Sequence, residues 1–195
     1  MAKNAPDVYA DLYADFRWQV PEEFSLAEAC CARWARDRPE APAVIFESES
    51  GCRAQHSYGQ LQRAANRLSN ALRRQGVQRG DRVALLLPQR FETAVAHIAI
   101  NQLGAVAMPL SMLFGPEALE YRLRDSGAVL ALVECAALDA VRGVRAACPA
   151  LQRLIVVGEC QPGCDEIGRL AALQAEDARF TAERMKAEEA AVLIY

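Results

Sequence analysis

The feature that most constrains the fold is a regular alternation of short apolar runs and helical patterns through the middle of the chain. Continuous apolar runs predict strands that are buried on both faces of a sheet. Strand–helix–strand alternation predicts a parallel sheet with right-handed crossovers. The predicted elements are strands at 83–87, 106–108, 129–133 and 154–157 and helices at 91–103, 116–126 and 136–147. We therefore predict an α/β fold, a mostly parallel sheet with helices on both faces.

The region before residue 83 predicts an arm, two helices and a β-hairpin. Ser25 is a suitable N-cap for the first helix. Ser57 and Gln60 have the spacing of a capping box, in which each side chain bonds the other residue's backbone N–H, and they begin the second helix. The predicted elements are an extended or partly helical arm at 1–24, helices at 25–36 and 57–75, and hairpin strands at 43–46 and 52–56.

The last part of the chain is more polar and then ends in an apolar run. A short helix is predicted at 165–173 and a polar surface connection at 174–186, followed by the apolar strand Ala191-Val-Leu-Ile-Tyr195. A strand of this buried type without a turn or polar tail predicts that the natural protein continues beyond it. We divide the chain into an arm (1–24), an α/β subdomain (25–187) and a terminal strand (188–195).

Composition and charge exclude several function classes. The net charge of −3 gives no electrostatic reason to expect a nucleic acid or an anionic membrane as partner. The basic face of the second helix (Arg63, Arg67, Arg73 and Arg74) is predicted to be a solvated face, because acidic residues elsewhere balance it. No segment has the roughly 20 apolar residues that a membrane-spanning helix needs. We expect a cytoplasmic protein without integral membrane association.

The sequence contains no convincing catalytic constellation. His97 stands in the most apolar helix and His56 precedes a helix cap, so both are predicted to be structural. No Gly-x-Ser-x-Gly elbow and no common Gly-rich phosphate loop is present. The seven cysteines are predicted to be reduced; Cys160 and Cys164 lack a second ligand pair for zinc, and no metal site is expected. A free-standing, non-catalytic α/β binding or interaction module therefore remains the alternative to an enzyme.

Four consecutive segments resemble motifs of the adenylate-forming superfamily, which contains acyl-CoA synthetases, adenylation domains and luciferases. His56-Ser-Tyr-Gly-Gln-Leu61 resembles L-T/S-Y-x-E-L, with Gln60 in place of Glu. Gly80-Asp-Arg-Val-Ala-Leu-Leu-Leu87 resembles G-D-x-V-A-I/L. The other two matches are Gln102-Leu-Gly-Ala-Val-Ala-Met-Pro-Leu110, similar to L-K-A-G-x-A-Y-V-P-L/I, and 115–127, similar to P-x-E-x-L-x-Y-x-L-x-D-S-x. Met108 and the segment 111–114 depart from the peptide-synthetase pattern, which favours an AMP-forming acyl-CoA synthetase, possibly of the medium-chain type.

The resemblance implies the first subdomain of the large N-terminal domain of such an enzyme. The full-length ligase would activate a carboxylic acid, expected to be a fatty acid, with ATP and Mg²⁺ and transfer it to coenzyme A. The resemblance also implies that Tyr195 immediately precedes the ATP phosphate loop, so these 195 residues are expected to be inactive and to contain no catalytic residue. Candidate substrate-proximal residues follow a strand's carboxyl end, where α/β sheets bind ligands: Ser111, Met112, Leu113 and Phe114.

Overall fold

The computed structural model describes residues 8–48, 51–158, 168–169 and 176–195. Helix α1 (Val8–Asp15) contains no buried residue and forms part of the N-terminal arm. A π-helical turn (Glu28–Ala32) continues into α2 (Arg33–Asp37), and the Ser25 hydroxyl accepts a bond from the Glu28 N–H at 3.3 Å. The capped helix is therefore confirmed, whereas the π turn was not predicted.

A hairpin and a long amphipathic helix follow. Strands β1 (Pro42–Glu47) and β2 (Arg53–Ser57) pair antiparallel, as predicted. Helix α3 (Tyr58–Arg74) begins with the complete capping box: the Ser57 hydroxyl accepts from the Gln60 N–H at 3.3 Å, and the Ser57 N–H donates to Gln60 Oε1 at 2.8 Å. The box fixes where the hairpin ends and the helix begins.

The remaining strands form one parallel sheet in the order β4-β3-β5-β6-β7. Apolar residues fill both faces of its central strands, which confirms the α/β prediction. Two 3-10 turns, Cys135–Ala137 and Arg145–Ala147, flank the last helix. The strands are β3 (Arg82–Leu86), β4 (Val106–Pro109), β5 (Leu130–Glu134), β6 (Arg153–Val157) and β7 (Gly168–Arg169), and the helices are α4 (Phe91–Gln102), α5 (Pro116–Ser126) and α6 (Leu138–Val144).

Two separate cores cover the two faces of the sheet. Val83 and Leu85 point to one side, where they pack with α3 and α4. Ala84 and Leu86 point to the other side, where they pack with α5 and α6. The chain runs from β3 to β4 on one side of β3, passes to β5 on the other side and continues in that direction to β6, so right-handed crossovers place α4 on one face and both α5 and α6 on the other.

Residues 176–189, which we name the return segment, bind back onto α3 and the arm. The Asn70 amide donates to the carbonyls of Asp177 and Arg179 at 2.8 and 2.9 Å. Arg73 pairs with Glu183 at 3.0 Å, and its guanidinium lies 4.3 Å from the Phe180 ring. The prediction of a surface connection is correct, and the basic face of α3 is where part of this connection attaches.

Two predictions near the end of the chain need correction. A helix is wrong at Gly168–Arg169, which form β7 because they pair with Ile155 and Val156 of β6; the rest of 165–173 lies outside the described residues. The segment 191–195 is extended, but it is not buried. It pairs only with the edge of β4, and Ile194 remains 76% exposed.

Candidate functional site

The carboxyl ends of the neighbouring strands β3 and β5 form the switch point of the sheet. The chain leaves β3 toward α4 on one face and leaves β5 toward α6 on the other, the arrangement that opens a crevice in α/β folds. The Arg90 guanidinium spans this point. Its Nη1 donates to Glu134 Oε2 at 2.8 Å, and its Nε donates to Glu92 Oε2 at 2.7 Å.

The ion cluster at the switch point is partly desolvated. Burial alone would raise the pKa of Glu92, but the hydrogen bond and charge of Arg90 outweigh it, so the net pKa is lowered. The same contacts raise the pKa of Arg90. Gly158 lies directly beside Glu134, and a Cβ at this glycine would be only 2.8 Å from the Glu134 Oε1. Sequence reasoning missed Arg90 and Glu134. The available signal was the position of Glu134, a charged residue directly after an apolar run.

The four candidate residues after β4 do not share one environment. The Leu110 N–H still donates to the Leu85 carbonyl at 2.9 Å, so the loop begins immediately after the sheet ladder ends. The Ser111 hydroxyl accepts from the Leu113 N–H at 3.2 Å and closes a turn. Met112 and Phe114 pack on the α5–α6 core, whereas Leu113 is 93% exposed.

Tyr195 lies at the same corner of the sheet as this loop. The segment 191–195 follows the edge of β4: the Ala107 N–H donates to the Ala191 carbonyl, and the Leu193 N–H donates to the Ala107 carbonyl, both at 2.9 Å. The Tyr195 hydroxyl then donates to Asp125 Oδ2 of α5 at 2.6 Å. Helix α5 thus contacts the end of this segment.

Arg122 of α5 lies between the loop and Tyr195. Its guanidinium carbon is 4.1 Å from the centre of the Phe114 ring and 5.6 Å from the centre of the Tyr195 ring. Its Nη1 donates to the Ala118 carbonyl at 2.9 Å. Tyr121, one residue earlier, meets the Tyr195 ring edge-on at 6.2 Å. The structure therefore brings Phe114 and Tyr195, predicted separately, to one cluster.

The cluster also changes the acidity of Tyr195. Burial, the hydrogen bond to Asp125 and the charge of that carboxylate raise the pKa of the Tyr195 phenol to about 12. The phenol is therefore neutral at physiological pH and acts as a hydrogen-bond donor. It is not a candidate base.

A family comparison identifies what kind of domain carries this geometry. The model of the family described as "AMP-binding enzyme" matches residues 31–195. This chain belongs to the AMP-binding enzyme family. The match includes the whole sheet, the loop after β4 and the segment that ends in Tyr195.

Individual relatives of this AMP-binding family member are CoA ligases. It is 32% identical over 163 residues to the acetyl-coenzyme A synthetase of Vibrio cholerae serotype O1. The aligned region covers 83% of this chain and 24% of the relative. Its fold superposes on a Brucella canis acyl-CoA synthetase with a TM-score of 0.84 at 24% identity, covering 95% of this chain and 35% of that one. An anthranilate CoA ligase bound to anthranoyl-AMP gives a TM-score of 0.78 at 24% identity, covering 89% and 32%.

These relatives are much longer than this chain. It spans about a quarter of the length of the Vibrio relative and about a third of the two solved structures. At 24% identity the solved structures establish the fold. The sequence prediction of an N-terminal part of an adenylate-forming ligase is confirmed at the level of the family.

The charged side chains of α5 beside Tyr195 already have partners within this chain. Arg122 contacts two rings and donates to the Ala118 carbonyl, and Asp125 accepts from the Tyr195 hydroxyl. Within 8–48, 51–158, 168–169 and 176–195, no group of three or more His, Cys, Asp or Glu could hold a metal ion.

The histidines and cysteines have structural surroundings. Burial lowers the pKa of His97, and His56 stacks on Phe91 with ring centres 3.8 Å apart. Cys30, Cys31, Cys52 and Cys148 are free, but Cys135 is disulfide-bonded, so the prediction of reduced cysteines is wrong there. Cys160 and Cys164 lie outside the described residues. Among the helices that the structure describes, none is both long and apolar enough to span a membrane.

Proposed function

We propose that this chain is the first α/β subdomain of an ATP-dependent acid–thiol ligase. A carboxylate oxygen attacks the α-phosphorus of ATP, pyrophosphate leaves, and an acyl-AMP forms. The thiol sulfur of coenzyme A then attacks the acyl carbon, and AMP leaves with the bonding electrons. Adenylation is needed because a free carboxylate would have to expel oxide. The supporting observation is the AMP-binding family match across residues 31–195.

The proposed acid is a fatty acid, and the loop 111–114 is proposed to border the acyl or CoA passage. Apolar side chains at Met112, Leu113 and Phe114 suit an alkyl chain better than an ionic group. The Pro109–Leu110 end of β4 also lines a cavity of ≈ 350 Å³ beside β1. The functions of the relatives, acetyl-CoA synthetase and anthranilate CoA ligase, support a CoA ligase that acts on a carboxylic acid.

The proposed parts of the chain and the proposed cosubstrates are those expected from the sequence. The arm is 1–24, the subdomain is 25–187, and the strand 188–195 leads toward the proposed phosphate loop. The cosubstrates are ATP, used with Mg²⁺, and coenzyme A. We propose that residues 1–195 alone are inactive.

The decisive experiment compares two proteins in ATP–pyrophosphate exchange. The complete product of the gene is assayed with straight-chain acids from acetate to dodecanoate, and residues 1–195 are assayed in parallel. We expect acid-dependent exchange and CoA thioester formation from the complete product only. A complete product without exchange on any acid would refute the ligase and leave the non-catalytic module. Exchange by residues 1–195 alone would refute their inactivity.

A second experiment tests the loop. Phe114→Ala in the complete gene product is expected to change the preference among acid chain lengths or the KM for CoA, because it removes the largest apolar side chain of the loop. The matched control is Leu12→Ala in α1, which removes an exposed apolar side chain far along the sequence from the loop. Unchanged chain-length preference and unchanged KM for CoA in Phe114→Ala would refute the role of the loop.

A further inference from the structure

We infer that Arg122 is a positioning residue that couples the loop after β4 to the segment ending in Tyr195. This inference rests on the proposed function only for its effect on ATP; the coupling itself is a property of the fold. The two partners, Phe114 and Tyr195, come from parts of the chain 81 residues apart, and the guanidinium is in reach of both rings.

The contacts of the Arg122 guanidinium are with aromatic rings, and none of the ion pairs found among the described residues includes it. Its Nε is buried and has no hydrogen-bond partner, although Asp125 and Glu120 stand on the same helix. Asp125 accepts from the Tyr195 hydroxyl and Glu120 pairs with Arg124 at 3.3 Å. A buried donor without a partner is unfavourable, so this side chain is held by its ring contacts and by the bond from its Nη1 to the Ala118 carbonyl.

Helix α5 holds the Tyr195 side chain through three residues. Tyr121 meets the edge of the Tyr195 ring, Asp125 accepts from its hydroxyl, and Arg122 approaches the ring from the Phe114 side. Tyr195 is therefore fixed from three positions on one helix, while its backbone is bonded to β4 only as far as Leu193. A shift of the loop changes the position of Phe114, and Arg122 transmits the shift to Tyr195.

Hydrogen exchange of the 195-residue chain tests the coupling without any assay of activity. Arg122→Met keeps an unbranched side chain as far as the position of the Arg122 Nε and removes both the guanidinium and the unpaired donor, so we expect the protein to remain folded. We expect exchange of the hydrogen-bonded amides of Leu193, Leu113 and Phe114 to rise by about five- to thirtyfold, the value of two cation–π contacts, while amides of β3 and β5 stay protected. The exchange rates of these amides in Arg122→Lys are expected to fall between those of the Arg122 protein and those of Arg122→Met, because an ammonium keeps the charge but has no planar face.

The controls separate coupling from a general loss of stability. Arg124→Met, on the same helix but exposed, is expected to leave exchange of the Leu193 amide unchanged. Phe114→Leu is expected to raise exchange of the Leu193 amide in the Arg122 protein but not in the Arg122→Met protein. Equal effects of Phe114→Leu in both backgrounds, or a uniform rise across β3 and β5, would overturn the inference.

Kinetics of the complete gene product supply the functional part of the test. Arg122→Met is expected to raise the KM for ATP with a smaller change in kcat, since it misplaces a segment that leads to the nucleotide. Unchanged kinetics in an active enzyme would refute this functional part. An inactive wild-type product would refute the proposed function, while the exchange experiment would still decide the coupling.

Discussion

Replacing Gly104 by alanine tests the tightest approach of the return segment to the sheet. Gly104 lies between α4 and β4 with φ +67°, a left-handed conformation that L-residues with a side chain rarely adopt. A Cβ there would be 2.6 Å from the Met185 Sδ and 3.1 Å from the Arg79 Cγ. Two costs are therefore expected in one substitution, a backbone cost and a steric cost.

The two costs have separate magnitudes. The left-handed conformation costs an alanine about 1–2 kcal/mol. Overpacking costs about 1–3 kcal/mol, at the lower end if the flexible Met185 side chain can move. We expect Gly104→Ala to lower the free energy of unfolding by about 2–5 kcal/mol in total. Gly76 also has a positive φ, +89°, but no atom lies within 4 Å of its Cβ position, so Gly76→Ala should lose only the backbone part.

Urea unfolding followed by circular dichroism measures these differences. Gly143→Ala in α6 is the opposite control, because this glycine has neither a positive φ nor a close neighbour, and alanine should stabilise it by about 0.5–1 kcal/mol. Met185→Ala should recover the steric part of the loss at Gly104. Equal losses for Gly104→Ala and Gly76→Ala, with no recovery in the Met185→Ala background, would refute the steric argument.

The remaining predictions concern titration and capping. Because burial lowers the pKa of His97, the unfolded chain binds more protons, so the free energy of unfolding should fall as pH drops below about 6.5; His97→Leu should lose part of this slope in urea titrations at several pH values, and an unchanged slope would contradict it. Because the pKa of Tyr195 is raised to about 12, its contribution to stability should be lost between about pH 10 and 12. Phenolate absorbance should show its late ionisation, and Asp125→Asn should shift it to lower pH. Ser57→Ala should cost about 1 kcal/mol of unfolding free energy, measured in urea, because it removes one half of the capping box.

The sequence predicts the parallel sheet well because both faces of its central strands are apolar. The bounds of β3, β5 and β6 are correct to within one residue, since uninterrupted apolar runs end at polar residues. The bounds of α5 agree fully, because Pro116 starts the helix and Gly127, with φ +59°, ends it. Local chemistry fixes such ends without any knowledge of the rest of the fold.

Contacts between distant segments could not be predicted in this way. The segment 191–195 has the composition of a buried strand, but its exposure depends on which element covers it. Arg122 resembles any other charged residue of α5 in the sequence, and its two ring contacts depend on how β4 and the terminal segment align. The ion cluster of Arg90 and Glu134 likewise requires β3 and β5 to be neighbours in the sheet. These features belong to the tertiary arrangement.

The return segment has a consequence for the order in which the protein assembles. Its bonds to α3 join residues 107 to 112 positions apart in the chain, as between Asn70 and Asp177 or between Asn66 and Ala178. During synthesis, α3 and the strands β3 to β6 leave the ribosome before their partners in 176–189 exist. The sheet can therefore form first, and attachment of the return segment to α3 is a late step.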